Sequence, residues 1–103
     1  MAADLLHPPA SRFNGPIIDA HCHFSTPIAT ARMIRAGTRY GVHKWIGICH
    51  IEDVPVLRKR FGPRAGFNVW LDHKNTDDTE AFVETNLRII ERAARLRCQC
   101  IKF

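Results

Sequence analysis

The feature that most constrains this chain is an order of segments that recurs from Pro16 to Phe103: an apolar run, a polar residue at its end, then a stretch opening on helix-capping residues. The first run, Pro16-Ile17-Ile18-Asp19-Ala20-His21-Cys22-His23, reads as a short buried strand. Ser25-Thr26-Pro27 joins a capping residue to a proline tolerated in a first helical turn. A helix is expected there, carrying Ile28, Ala31, Ile34 and Ala36 and stopping at Tyr40-Gly41 with Gly41 left-handed. Lys44 to Cys49 is expected to be a second strand, closed by His50. Asp53 is placed to cap a short helix running to Arg60, which Gly62-Pro63 ends. Gly66 to Leu71 reads as a third strand, closed by Asp72-His73. Thr76 to Glu80 is an acidic, cap-rich helix start, and Val83, Leu87, Ile90 and Ala94 recur behind it at helical spacing. Cys98 to Phe103 is expected to be a fourth strand.

Strands alternating with helices over connections of a few residues imply parallel pairing through helical crossovers. Two α/β architectures fit, an open doubly wound sheet or part of a closed barrel. His21-Cys22-His23-Phe24-Ser25-Thr26 stands where a glycine-rich phosphate loop would follow the first strand, which disfavours a nucleotide-binding sheet.

At 103 residues, 46% hydrophobic and 24% charged, the chain has the composition of an ordinary globular protein and room for one domain at most. Residues 1–15, with their prolines and Asn14-Gly15, read as a flexible leader, and 16–103 as the folded part. The terminal run Cys100-Ile101-Lys102-Phe103 has no cap or polar tail after it, so the chain is expected to be cut from a longer one.

Four cysteines in this arrangement do not make a secreted disulfide scaffold, and reduced thiols are expected. Cys98-x-Cys100 has no second cysteine pair and reads as small thiols rather than a structural zinc site. With no signal peptide and no apolar run of membrane-spanning length, the expected location is the cytoplasm, with no membrane partner. The formal charge of +5 comes largely from Arg58-Lys59-Arg60 with Arg64, and from Arg88, Arg92, Arg95 and Arg97. Both groups read as solvated helix faces without interleaved aromatics, so nucleic acid is not an expected partner. Trp45 and Trp70 are expected in the core between strands and helices.

The chemistry concentrates in Asp19-Ala20-His21-Cys22-His23. Alternate side chains of a strand share a face, so His21 and His23 are expected to point one way and Ala20 and Cys22 the other. Two imidazoles one strand step apart can both reach one divalent cation, at the strand end where parallel α/β folds build their active sites. A catalytic zinc usually takes three protein ligands plus water, so further ligands are required.

Pro16 to His23 resembles the first-strand signature of the amidohydrolase superfamily, and especially its amidohydrolase-related branch, which includes aminocarboxymuconate-semialdehyde-type decarboxylases. The resemblance implies a (β/α)8 TIM barrel, of which this chain would be the N-terminal part, about three and a half βα units. It implies one or two divalent metals, most readily Zn2+, with His21 and His23 as ligands and Asp19 supporting them on the same inward face. Lys102 is a candidate ligand, because some subgroups bridge two metals with a carboxylated lysine on strand four. His50, Asp72 and His73, at the ends of strands two and three, are candidates for binding substrate or orienting a ligand. The implied activity is hydrolysis or decarboxylation of a small carboxylate, amide, ester or lactone through a metal-activated water, in a protein that can be a homo-oligomer. The general base is expected beyond Phe103, so the 103-residue piece alone is expected to be inactive.

Two other readings stay open. A TatD-type metal-dependent deoxyribonuclease also begins with a strand ending in His-x-His, but would carry a glutamate ligand on strand four, where Lys102 stands here. A small non-enzymatic α/β binding module, complete as given, would use the histidines structurally.

Overall fold

The computed structural model describes residues 13–103. Four strands, β1 (Ile17–His23), β2 (Val42–Cys49), β3 (Ala65–Trp70) and β4 (Cys100–Lys102), form one curled parallel sheet in the order β1-β2-β3-β4. Helices α1 (Pro27–Arg39), α2 (Val54–Phe61) and α3 (Thr79–Arg95) make the three crossovers. The expected alternation is therefore present. The leader falls mostly on residues 1–12, outside the described residues.

Local chemistry sets most of the boundaries. Thr26 Oγ1 accepts the Ala29 N–H at 3.2 Å and Pro27 opens α1. Gly41, with φ of 83°, then turns the chain into β2 as a left-handed residue. Asp78 Oδ1 accepts the Ala81 N–H at 3.1 Å and starts α3. Asp53 does not cap α2 with its side chain. It ends an additional 3-10 turn, Ile51–Asp53, that leads directly into the helix. The fourth strand is shorter than expected, because Arg97 takes φ of 53° and Cys98 N–H returns to Ala93 O, which delays the extended backbone to Cys100.

The core lies between the sheet and the helices. Trp45, Cys49, Phe67 and Val69 pack on one sheet face against Ile34, Val54, Leu57 and Ala93. Several expected core positions lie elsewhere. On α1 Ile34 is buried as expected, but Ile28 is exposed and Thr30 is buried in its place. On α3 the stripe of Val83, Leu87 and Ile90 is 47%, 53% and 40% exposed. The helix turns Asn86 and Ala93 to the sheet, with Ile89 partly buried beside them. A step of about 100° per residue places the expected stripe on the helix flank, not its sheet-facing side. Nor is β1 buried throughout, since Ile18 is 53% exposed on this edge strand.

The arginines of α2 and of the 3-10 turn after it (Gly62–Arg64) are not merely solvated. Arg58 stacks over Phe67, Arg60 over Phe61 and Arg64 over Trp45, with guanidinium carbons 5.1, 5.6 and 5.2 Å from the ring centroids. No helix among the described residues is long and apolar enough to cross a membrane.

Candidate functional site

The second sheet face carries no helix and holds the residues of interest. Cys22 and Phe24 belong to the core, which leaves His23 between them on the opposite face. His23 pairs in register with Ile48, Ile48 with Asn68 and Asn68 with Cys100, so one row of side chains crosses all four strands. The next row brings Trp70 beside Lys102. The His21 and His23 rings lie 6.2 Å apart, the His23 and Trp70 rings 6.3 Å, and the Trp70 and His73 rings 6.4 Å.

Trp70 is thus only half-buried and sits between two sets of polar groups, not in the core as expected; Trp45 alone of the two is 1% exposed. On one side of Trp70 stand His21 and His23. Trp70 also lines a cavity of about 630 Å³ at the ends of β2 and β3, whose polar rim is His50, Glu52, Asp72, His73 and Lys74 and whose apolar wall is Ile51, Leu71 and Ile89 of α3. Position at the strand ends explains this grouping: His50 follows β2 and precedes the 3-10 turn, while Asp72 and His73 follow β3. Lys102, half-buried, lies on the Trp70 face, since Ile101 packs into the core.

Asp19 departs from the simple alternation. Three residues of β1 span the interval from Asp19 to Cys22 against two of β2, from Trp45 to Gly47. Such a bulge breaks the two-residue period that would put Asp19 on the face of His21 and His23. The Asp19 carboxylate instead accepts the His21 backbone N–H at 3.1 Å, inside the bulge itself.

Asn86 and Trp70 are the residues that sequence reasoning missed here. Asn86 Nδ2 donates to Asp72 O at 2.9 Å, and Asn86 Oδ1 accepts the Asp72 N–H at 2.8 Å. This reciprocal pair fixes the backbone where β3 leaves the sheet, and Asp72 Oδ1 then accepts the Lys74 N–H at 2.8 Å. A signal was available: Asn86 is a polar residue at the sheet-facing spacing of Phe82, Ile89 and Ala93, where a bare amide would be costly to bury.

Thiols near the site are held protonated. Burial, aided by the Asp19 charge, pushes the Cys22 thiol up to about 11, and its Sγ–H points to Ile46 O at 3.6 Å. Burial pushes Cys49 up to about 12, with Asp53 and Cys98 adding to the effect. Burial also raises Cys98, against the opposing influence of Arg58. Cys98 packs against the core, whereas Cys100 is exposed on β4, so the two do not form a common site.

The donor set fits a divalent cation in part. His21 and His23 are exposed imidazoles at the end of one strand, two of the three protein donors a catalytic zinc takes. Among the described residues, no group of three or more histidine, cysteine, aspartate or glutamate side chains is close enough to share an ion. Asn68 Oδ1 is a buried acceptor without a partner in the His23 row. It stands two strands away from His23, roughly 10 Å between backbones. No protein-family description matches the chain, and no curated protein or solved structure matches it either.

Proposed function

We propose that the chain supplies the first three and a half βα units of an amidohydrolase-like (β/α)8 barrel, and that the intact barrel is a metal-dependent hydrolase or decarboxylase acting on a small carboxylate, amide, ester or lactone. The observation that carries the reading is the placement of His21 and His23 at the C-terminal end of β1, on the helix-free sheet face. The cavity rimmed by His50, Asp72 and His73 opens at the ends of the next two strands, where barrel enzymes hold their substrates.

Packing supports the same reading. Parallel sheets are normally covered on both faces, yet here, on the second face, Ile48 is fully buried while Ile46, Asn68 and Trp70 around it are half-buried and His23 is exposed. Closure into a barrel of ~250 residues would cover that face, and a neighbouring helix of its outer ring would cover the flank formed by Val83, Leu87 and Ile90. A finished small module would leave both open.

His21 and His23 would hold the cation, with Lys102 as a further candidate and the remaining ligands from later strands. When bound, such an ion polarises a carbonyl and lowers the pKa of a coordinated water toward neutrality. Trp70 walls the space between the histidine pair and the cavity, where His50, His73 and Lys74 are placed to receive a substrate carboxylate. The general base belongs to a later strand, so the 103-residue chain by itself turns nothing over.

The test is zinc and cobalt titration of the chain, with His21→Ala and His23→Ala variants, followed by unfolding with and without chelator. Expected is cobalt binding that weakens at least about tenfold in each variant, and an unfolding transition that moves with chelator. Unchanged cobalt binding in the variants, or a transition indifferent to metal, would instead favour the binding module. A TatD-type nuclease lacks support here because β4 offers Cys100-Ile101-Lys102 and no glutamate.

A further inference from the structure

The charge of this chain is segregated. No aspartate or glutamate occurs between Ala20 and Ile51, and none between Val54 and Leu71. Every charged side chain of α1, α2 and the 3-10 turn that follows α2 (Gly62–Arg64) is therefore a lysine or arginine, whereas α3 mixes Glu80, Glu84 and Glu91 with its arginines. Self-repulsion makes such one-signed surfaces uncommon without an anionic partner.

A groove of about 450 Å³ opens within this basic surface, between the C-terminal half of α1 and the end of α2. Its floor is apolar, formed by Ala31, Ile34 and Phe61, and its rim carries Arg35, Arg39 and Arg64. Arg35 and Arg39 are one helical turn apart and exposed. Arg64 is already held in place: its guanidinium lies over the Trp45 ring and hydrogen-bonds to Thr38 Oγ1, whose own hydroxyl donates to Ile34 O at 2.7 Å. A guanidinium fixed by stacking loses little further freedom when its remaining N–H groups meet a carboxylate. Among the described residues, no carboxylate forms an ion pair with any of these three arginines.

We propose that this groove docks an acidic segment of a partner protein, with an aliphatic side chain on the Ala31, Ile34 and Phe61 floor and carboxylates against Arg35, Arg39 and Arg64. The chemistry separates this partner from other polyanions. A nucleic-acid backbone has no aliphatic group for the floor, and the rings under the arginines are not free to stack bases, since Trp45 is buried and Phe61 half-buried. An anionic bilayer needs a flat or convex surface, whereas the apolar residues here line a recess. The groove lies on the helix side of the sheet, so its occupation is independent of the histidine pair.

The experiment is fluorescence polarisation with a short labelled peptide of glutamates carrying leucines at three- and four-residue spacing, titrated with the purified chain at about 0.15 M ionic strength. The chain should bind it saturably, and a peptide with serine for leucine should bind at least about tenfold more weakly. The double variant Arg35→Glu and Arg39→Glu should lose at least about tenfold, and Arg35→Gln with Arg39→Gln somewhat less. Arg92→Glu with Arg95→Glu on α3, an equal change in net charge, should leave the affinity within about twofold. Far-UV circular dichroism establishes that each variant is folded. The proposal is overturned by absence of saturable binding, by equal losses in the α1 and α3 variants, by equal affinity for the serine peptide, or by displacement of the peptide by duplex DNA or phosphatidylserine vesicles.

Discussion

Asn86 shows how much one side chain determines at the rim of the sheet. Its amide saturates both backbone groups of Asp72, so Asn86→Ala leaves a half-buried N–H and C=O without their partner beside a small void. We expect a loss of about 2–3 kcal/mol in urea unfolding, with the Asp72 and Lys74 amides exchanging faster with solvent. The buried thiols give a second prediction at this scale. Cys22 and Cys49 ionise at about 11 and 12 in the folded protein, above the unfolded thiol value of about 8.5. Between those values the unfolded chain has released protons that the folded chain retains, so unfolding becomes easier as pH rises. Stability should be insensitive to these groups at neutral pH and decline above about pH 8.5, and replacing both by Ala should flatten that decline. At neutral pH, a thiol reagent should modify the exposed Cys100 first and reach Cys22 and Cys49 only on unfolding.

The elements were readable to different depths. The caps Thr26 and Asp78 and the turn at Gly41 stood in the sequence because each acts on atoms a few residues away. The rotation of α3 did not, because two faces of the helix are apolar and only contact with the sheet selects between them. Asn86 decides for the side of Phe82, Ile89 and Ala93, since its amide finds Asp72 there. The bulge in β1 was equally invisible, being a relation between Asp19–Cys22 and a neighbouring strand. Close approach on the helix-covered face of β2 gives a further test. A Cβ at Gly47 would overlap the Phe24 ring, which packs edge-on to Phe67 at 5.9 Å. Gly47→Ala should therefore cost about 1–3 kcal/mol in denaturant unfolding even though alanine favours a strand no less than glycine does.

For the molecule as a whole, the decisive contrast is between the two sheet faces. One is closed by three helices over Trp45, Phe67 and Val69, and the other carries His23, Asn68 and Trp70 with no helix above it. The two tryptophans report on this difference. Trp45→Ala should cost about 3–5 kcal/mol, while Trp70→Ala should cost less than half as much, as read from urea unfolding. Acrylamide should correspondingly quench Trp70 fluorescence and spare that of Trp45.

The sequence by itself determined the order of elements, the parallel pairing and the positions of His21, His23, His50, Asp72 and His73 at strand ends, because periodicity, caps and crossover length are local properties of a chain. Only the tertiary structure decided that Trp70 stands between the histidine pair and the cavity, that Asp19 turns into a bulge, and that arginines of one sign surround an apolar recess. Those facts depend on which strand lies beside which and on how each helix is rotated, and both are settled by packing between residues far apart in the chain.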